Sequence, residues 1–165
     1  MPQWVKIILF YLSAILLQVL LVNNLYLWGL CSPCVYLFAL CCLPVNIPRW
    51  IELFIGFFTG LLIDISCNTM GCHCAACVAF AYARPLLIAN IIQEKERLIG
   101  SFSSEVIGMG QYAKVIAISV SIHHIILFGL LSWSLTRWWL TLVQIVLSVI
   151  ATLLLLFVIE LFRSR

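Results

Sequence analysis

Long apolar runs make up most of the chain, and short polar or Pro/Gly-containing stretches separate them. A helix that crosses about 30 Å of hydrocarbon needs about 20 mostly apolar residues. The runs are too long for strands and lack the alternation of polar and apolar positions that strands show. The pattern predicts an all-α integral membrane protein, one polytopic domain over residues 1–165. The predicted bundle has about six transmembrane helices, at 4–22, 25–43, 51–65, 74–92, 112–131 and 139–162.

The first two apolar runs each contain a feature that bears on whether they span the membrane. Residues 4–22 follow a short basic lead, as in a signal peptide, but the apolar stretch is long and no small-x-small cleavage pattern follows it. We therefore expect a retained span. The second run contains Ser32-Pro33, where proline offers no backbone donor, so a helix over 25–43 has a candidate break at that point.

Composition supports the bilayer as the solvent of this chain. Hydrophobic residues make up 65% and charged residues 9%, with a mean hydropathy of +1.19. These values exclude a water-soluble domain. The net charge of +3 comes from scattered basic residues, which argues against a nucleic-acid surface.

The basic residues also predict the topology. Lys and Arg concentrate in alternate loops, as the positive-inside rule describes for cytoplasmic segments. The other side of the membrane would hold only Arg137. We therefore expect both termini in the cytoplasm. The residues on the cytoplasmic side would be Lys6, Arg49, Lys95, Arg97, Arg163 and Arg165.

The third run carries an acidic residue on a face of small residues. Gly56, Gly60 and Asp64 are spaced by four and share one helix face, where glycines let a neighbouring helix approach closely. The following run offers a matching stripe of Ala75, Ala79 and Ala83. We expect these two helices to pack tightly and to direct Asp64 into the bundle or into its outer mouth, where near the outer third of the membrane it would remain hydrated and ionised.

Arg84, followed by Pro85, is a charged residue near the middle of the fourth run. A charge at this depth normally faces protein or water, so Arg84 is a candidate for the pocket. Structural pairing is the simpler interpretation of this side chain. A pair with Asp64 is not favoured, because Arg84 should lie closer in depth to His123 and His124.

His123 and His124 raise a metal site or proton path as possibilities, since imidazole is a common ligand. Adjacent helical side chains diverge by about 100°, which disfavours one shared ion and favours interhelical hydrogen bonds. The dense Cys67–Cys77 stretch lacks the paired spacing of a zinc knuckle. The sequence therefore predicts no metal and no other cofactor.

Cysteines allow one enzymatic alternative. Cys31 and Cys34 form a C-x-x-C pair, and Cys67 and Cys72 would lie near the same face, an arrangement that is similar to quinone-linked membrane thiol oxidases. Against a redox role, the pairs have no activating cationic neighbour, and Asp64 would raise a thiol pKa. No nucleotide-binding, zinc-protease or nucleophile-elbow motif occurs, so we expect a protein that is not an enzyme.

Two further polar stretches have structural interpretations that require no ligand. The stretch 93–110 is the longest polar segment, and a solvated connector is favoured over a docking loop. On the last run, Gln144, Ser148 and Thr152 form a stripe with helical spacing. This stripe predicts an interhelical hydrogen-bonding face.

Several short motifs, in their order and spacing, resemble the rod shape-determining MreD family, particularly its Bacteroidetes forms. The resemblance covers nearly the whole chain. The main departure from the family pattern is the number of cysteines, eight in all. The motifs are Leu-Gln-Val-Leu at 17–20 with Asn23-Asn24-Leu25, Pro48-Arg49-Trp50, Gly56 to Asp64 with Asn68-Thr69-x-Gly71-x-His73, Arg84-Pro85 and Ile122-His123-His124.

The resemblance implies an inner-membrane component of the cell-elongation complex, with a fold similar to the S-components of energy-coupling-factor transporters. It implies an MreC-like periplasmic scaffold as the partner, with MreB, RodA and a class B penicillin-binding protein in the same complex. It supplies no catalytic residues. We expect a scaffold that regulates cell shape and peptidoglycan synthesis, with Asp64 near the partner site. A small-molecule transporter component and a thiol oxidoreductase that uses Cys31 and Cys34 are the alternatives.

Overall fold

The computed structural model describes residues 3–22, 30–92, 102–132 and 138–163, and these residues form helices and no strand. Seven helices occur in the described part of the chain, of which two are short. They are α1 (Gln3–Leu20), α2 (Tyr36–Cys41), α3 (Arg49–Cys67), α4 (Cys72–Ile91), α5 (Ser104–Ile107), α6 (Met109–Leu131) and α7 (Trp138–Arg163).

Four helices of the described chain, α3, α4, α6 and α7, are long and apolar enough to cross a membrane. They occupy the third to sixth runs of the sequence. Helix α1 contributes a shorter apolar stretch, Leu9–Leu20. Many large apolar side chains of these helices are exposed on their outer faces, as expected where lipid is the solvent. The structure therefore agrees with a membrane protein, and four of its described helices are long enough to cross the bilayer.

The prediction of one spanning helix over 25–43 is wrong for the part of it that the structure describes. Residues 30–35 are not helical, and helix covers only the six residues Tyr36–Cys41. The helix break therefore involves more than Ser32-Pro33. Irregular backbone at membrane depth requires polar partners inside the protein, and distant helices provide them for this segment.

The core lies around α2. All six residues of this short helix are buried, with exposures of at most 2%. Around it, α3 packs against α4, α4 against α6, and α6 against α7, while α1 contacts α2. The long helices thus enclose a central element that is itself too short to cross a membrane.

A tight turn joins α3 to α4. Asn68 ends α3 in the left-handed conformation with φ +57°, and Gly71 precedes α4 with φ +91°. Glycine and asparagine are the residues that adopt this conformation most readily. The turn makes α3 and α4 antiparallel neighbours.

The polar stretch 93–110 is described from residue 102 onward. It contains one short helical turn, α5, before α6 begins at Met109. The backbone N–H and the hydroxyl of Ser104 both donate to Glu160 Oε1 on α7, at 2.9 and 2.8 Å. This part of the stretch is therefore anchored to the bundle.

Candidate functional site

Helices α3 and α4 approach each other closely at Gly56 and Gly60. A Cβ atom at Gly60 would lie 2.6 Å from the backbone oxygen of His73, and one at Gly56 would lie 2.9 Å from that of Cys77. Both distances are shorter than van der Waals contact with backbone atoms that cannot move aside. The glycine spacing therefore supports the close packing that the sequence predicted.

The opposing face of α4 differs from the prediction. Gly56 and Gly60 face Cys74, Cys77 and Ala81, not the predicted stripe of Ala75, Ala79 and Ala83. Ala75 is exposed and Ala79 is half-buried. The sequence did not distinguish the two faces because small residues occur on both sides of α4.

Asp64 binds the first turn of α4. Its Oδ1 accepts the His73 N–H at 3.0 Å and its Oδ2 accepts the Cys74 N–H at 2.8 Å, while the Thr69 hydroxyl also donates to Oδ1. A carboxylate at this position satisfies two amides that have no partner within the helix and interacts favourably with the helix dipole. Asp64 is 5% exposed, so the expectation of a hydrated group in an open mouth is wrong.

Arg84 forms an ion pair with Glu52, a residue that the sequence reasoning did not consider. Arg84 Nη1 lies 2.8 Å from Glu52 Oε1, and Nη2 donates to the carbonyl oxygens of Cys41 and Leu43. The guanidinium group also lies over the Phe102 ring, 5.3 Å from its centroid. Structural pairing thus describes Arg84. Because α3 and α4 are antiparallel, Glu52, the fourth residue of α3, lies at the depth of Arg84. Asp64 lies near the other end of α3.

The irregular segment before α2 is held by side chains from two other helices. The N–H groups of Ser32 and Cys34 donate to the hydroxyls of Ser148 and Thr152 at 3.0 and 3.1 Å. Gln18 of α1 accepts the Val35 N–H and donates to the Pro33 carbonyl. The polar stripe of α7 does form hydrogen bonds, as predicted. Ser148 binds this non-helical backbone, and Thr152 binds both that backbone and His124 of α6.

Tyr36 links two histidines in the interior. Its hydroxyl lies 3.0 Å from His73 Nδ1 and 3.0 Å from His123 Nε2. A phenol has one proton, so it donates to one ring and accepts an N–H from the other. The backbone N–H of His73 in turn donates to Asp64. These contacts join the α3–α4 turn to α6 through α2.

His124 makes a separate set of contacts. Its Nδ1 lies 3.0 Å from the Val120 carbonyl oxygen and its Nε2 lies 3.2 Å from the Thr152 hydroxyl. Carbonyl oxygens only accept, so Nδ1 carries the proton and Nε2 accepts from Thr152. The predicted interhelical hydrogen bond of the histidine pair is therefore present here.

The C-x-x-C pair does not have the features of a reactive dithiol. Cys34 is 1% exposed and its thiol donates to the Ser32 carbonyl, while the Cys31 thiol donates to the carbonyl of Leu147. The thiolate is the reactive form, so these surroundings disfavour thiol exchange.

The outer side of α3 and α4 contains an apolar groove of about 690 Å³. Ala75 and Ala79 lie within it, on the face of α4 that points away from Gly56 and Gly60. Larger side chains border this face. The groove is lined by Leu53 and Phe57 of α3, by Gly71 just before α4, and by Cys74, Ala75, Val78, Ala79 and Tyr82 of α4.

All six residues singled out from the sequence are buried among atoms of the chain itself. His123 contacts the Tyr36 hydroxyl, and His124 is the next residue of α6. Asp64 accepts hydrogen bonds from the first turn of α4, and Arg84 lies towards the opposite end of α4. Sequence reasoning missed Glu52, Tyr36 and Gln18; a search for a carboxylate at the depth of Arg84 would have found Glu52. The six are Gly56, Gly60, Asp64, Arg84, His123 and His124.

The chain matches no protein-family model, no curated protein and no solved structure.

Proposed function

We propose that this chain is a non-enzymatic scaffold of the bacterial inner membrane and that it holds the transmembrane helix of an MreC-like partner in the cell-elongation complex. The sequence resemblance to the MreD family supplies the identity of the partner. The observation that carries the binding role is the groove between α3 and α4, with Ala75 and Ala79 on its floor. MreB, RodA and a class B penicillin-binding protein belong to the same proposed complex.

A transmembrane helix fits the chemistry of the groove. Within a bilayer, helices associate through close van der Waals packing, and small residues spaced by four let backbones approach. Ala75 and Ala79 have this spacing. The inner side of α4 already packs on Gly56 and Gly60, so the outer small face is available to a second neighbour. Phe57 and Tyr82 at the sides of the groove provide apolar contact area.

We also propose six crossings with both termini in the cytoplasm. The segment from Cys31 to Cys42 runs beside α7, because Cys31 contacts Leu147 and Cys42 contacts Arg163. Sixteen helical residues separate these two contacts on α7, a rise of about 24 Å and thus most of the hydrocarbon thickness. An irregular crossing by this segment, one crossing by α1 and four by the long helices make six. Six crossings are consistent with the charge bias and with an S-component-like fold.

The proposal is tested by purifying the tagged chain from native membranes and identifying the recovered proteins by mass spectrometry. Ala75→Trp and Ala79→Trp fill the groove with indole rings. Val146→Trp and Ile150→Trp are the matched controls, because both positions are exposed on the apolar face of α7. We expect the α4 variants to lower recovery of an MreC-like protein by about tenfold, which corresponds to about 1.4 kcal/mol. The α7 variants should recover it as the unchanged chain does.

Three results would contradict the proposal. Equal recovery with all four variants would exclude the groove as the partner site. Recovery of an ATPase module in place of the scaffold protein would indicate a transporter component. A thiol oxidoreductase trapped as a mixed disulfide would indicate redox chemistry at Cys31 and Cys34.

A further inference from the structure

Three potential metal ligands converge in the interior, from parts of the chain that are about 90 residues apart. One ligand atom each from Cys34, His123 and His124 lies within 4.8 Å of the others. All three residues are buried, with exposures of 1% or less. The sequence raised the two histidines of α6 as possible metal ligands, but it did not indicate Cys34, whose thiol comes from the irregular segment before α2.

The divergence of adjacent helical side chains does not prevent His123 and His124 from sharing one ion here. The ring centroids of His123 and His124 are 5.2 Å apart, with 67° between the ring planes. Their side chains leave α6 in different directions, but a third ligand that approaches from outside the helix can share an ion with both. The non-helical backbone at Cys34 brings its thiol to that position.

His124 is already oriented as metal-binding histidines are. Its Nδ1–H donates to the Val120 carbonyl, which leaves Nε2 without a proton and able to coordinate. Histidine ligands almost always donate their second ring N–H to a carbonyl or carboxylate in this way. Thr152 donates its hydroxyl proton to Nε2 and accepts the Cys34 N–H, so one side chain positions two of the three ligands. An ion that binds Nε2 takes the place of that hydroxyl proton.

His123 provides a second, independent indication. Its Nδ1 is buried and has no hydrogen-bond partner among the described residues. Buried polar atoms are nearly always satisfied, and one that is not calls for an explanation such as a bound ion. His123 Nε2 is on the other side of the ring, 3.0 Å from the Tyr36 hydroxyl and 3.8 Å from the Cys77 thiol, so Nδ1 is the nitrogen left to coordinate an ion.

We propose that Cys34, His123 and His124 bind one d¹⁰ transition-metal ion, Zn²⁺ or Cu⁺. Thiolate and imidazole ligands together select these ions over Mg²⁺ or Ca²⁺. Ligand atoms around tetrahedral zinc are about 3.5 Å apart, so binding draws the three groups together by about 1 Å at most. The Cys34 S–H bond breaks, a metal–sulfur bond forms and the proton passes to solvent, while both imidazoles stay neutral. No electron transfer is involved.

Charge balance separates the two ions. One thiolate neutralises Cu⁺, whereas Zn²⁺ on the same three ligands keeps one positive charge. A neutral site is favoured in an apolar interior, where uncompensated charge is costly. In either form the ion fastens the irregular segment at Cys34 to α6, as a closed structural site does.

The test measures metal in the full chain, purified in detergent with reductant and without chelator, by inductively coupled plasma mass spectrometry. We expect about one equivalent of zinc or copper in the unchanged chain and at least a tenfold loss in Cys34→Ser. Cys31→Ser is the matched control, because Cys31 belongs to the same C-x-x-C pair but not to the cluster. Cys77→Ser should retain the metal, because Cys77 contacts Nε2 of His123 rather than the coordinating Nδ1.

Co²⁺ added to the unchanged chain keeps the proposal testable if a variant fails to fold. Coordination by Cys34 should produce a thiolate-to-cobalt charge-transfer band, and one equivalent of Zn²⁺ should abolish it. The proposal is overturned if the unchanged chain carries no stoichiometric zinc or copper and gives no such band. It is equally overturned if folded Cys34→Ser retains as much metal as Cys31→Ser.

Discussion

Arg84 and Glu52 form an ion pair of 2.8 Å between α4 and α3, with only 2% and 4% of their side chains exposed. The guanidinium group also donates to the carbonyl oxygens of Cys41 and Leu43, at and beyond the end of α2. A single side chain therefore connects α3 and α4 with the irregular second segment. This connection makes the pair a sensitive point of the fold.

Removal of either partner should destabilise the protein strongly. Arg84→Met or Glu52→Leu leaves one buried charge without its partner, which costs about 3–5 kcal/mol of unfolding free energy. The double variant should cost at least about 1 kcal/mol less than the sum of the single variants, because it removes both charges. Unfolding by sodium dodecyl sulfate in mixed micelles measures all three values. Additive costs would contradict a coupled pair.

Gly60 should not tolerate a methyl group. In Gly60→Ala the new Cβ would overlap the backbone of His73 and Cys74, so we expect α3 and α4 to separate at a cost of about 1–3 kcal/mol. Gly129→Ala on α6 is the control, because no atom lies within 4 Å of a Cβ there. The control should be neutral or stabilising by up to about 1 kcal/mol. The same unfolding measurement compares them, and equal effects would refute the close contact.

Asp64 should stabilise the start of α4 rather than a partner surface. Asp64→Ala leaves the N–H groups of His73 and Cys74 without their acceptor, which should cost about 0.5–2 kcal/mol and speed hydrogen exchange at both amides. Asp64→Asn keeps an amide oxygen as acceptor and should cost less. If Asp64→Asn folds with unchanged stability but loses the partner in co-purification, the sequence-based assignment of Asp64 to the partner site would be restored.

Thr152 should be needed for the irregular segment. Thr152→Val keeps the shape of the side chain but leaves the Cys34 N–H and His124 Nε2 without a partner, at a cost of about 1–3 kcal/mol. Ser121→Ala removes a half-buried hydroxyl that donates only within its own helix, to Ala117. That control should change stability by less than about 0.5 kcal/mol. A similar small effect for Thr152→Val would show that its hydrogen bonds are dispensable.

The two cysteines of the C-x-x-C pair should differ in reactivity. A small membrane-permeant thiol reagent should modify half-buried Cys31 well before Cys34, whose side chain is enclosed. Peptide mass spectrometry of labelled membranes, read at several times and after denaturation, gives the two rates. A Cys31–Cys34 disulfide in untreated membranes would contradict this expectation and support the thiol-oxidoreductase alternative.

The sequence by itself determined the long helices and one of their contacts. Apolar runs of bilayer length predict α3, α4, α6 and α7, because a backbone surrounded by lipid must satisfy its hydrogen bonds within each helix. The spacing of Gly56 and Gly60 predicted close packing with α4, because a helix brings every fourth residue to one face. Both inferences rest on local periodicity, which a single run of sequence contains.

Only the tertiary structure decided how the polar groups are paired. The second run does not continue as a helix because Gln18, Ser148 and Thr152, all distant in sequence, satisfy its free backbone groups. The pairing of Arg84 with Glu52 and the meeting of Cys34 with the two histidines have the same origin. A buried polar group binds whichever partner the fold brings within about 3 Å. The periodicity of the sequence does not predict that distance. The distance depends on which helices become neighbours and in what register.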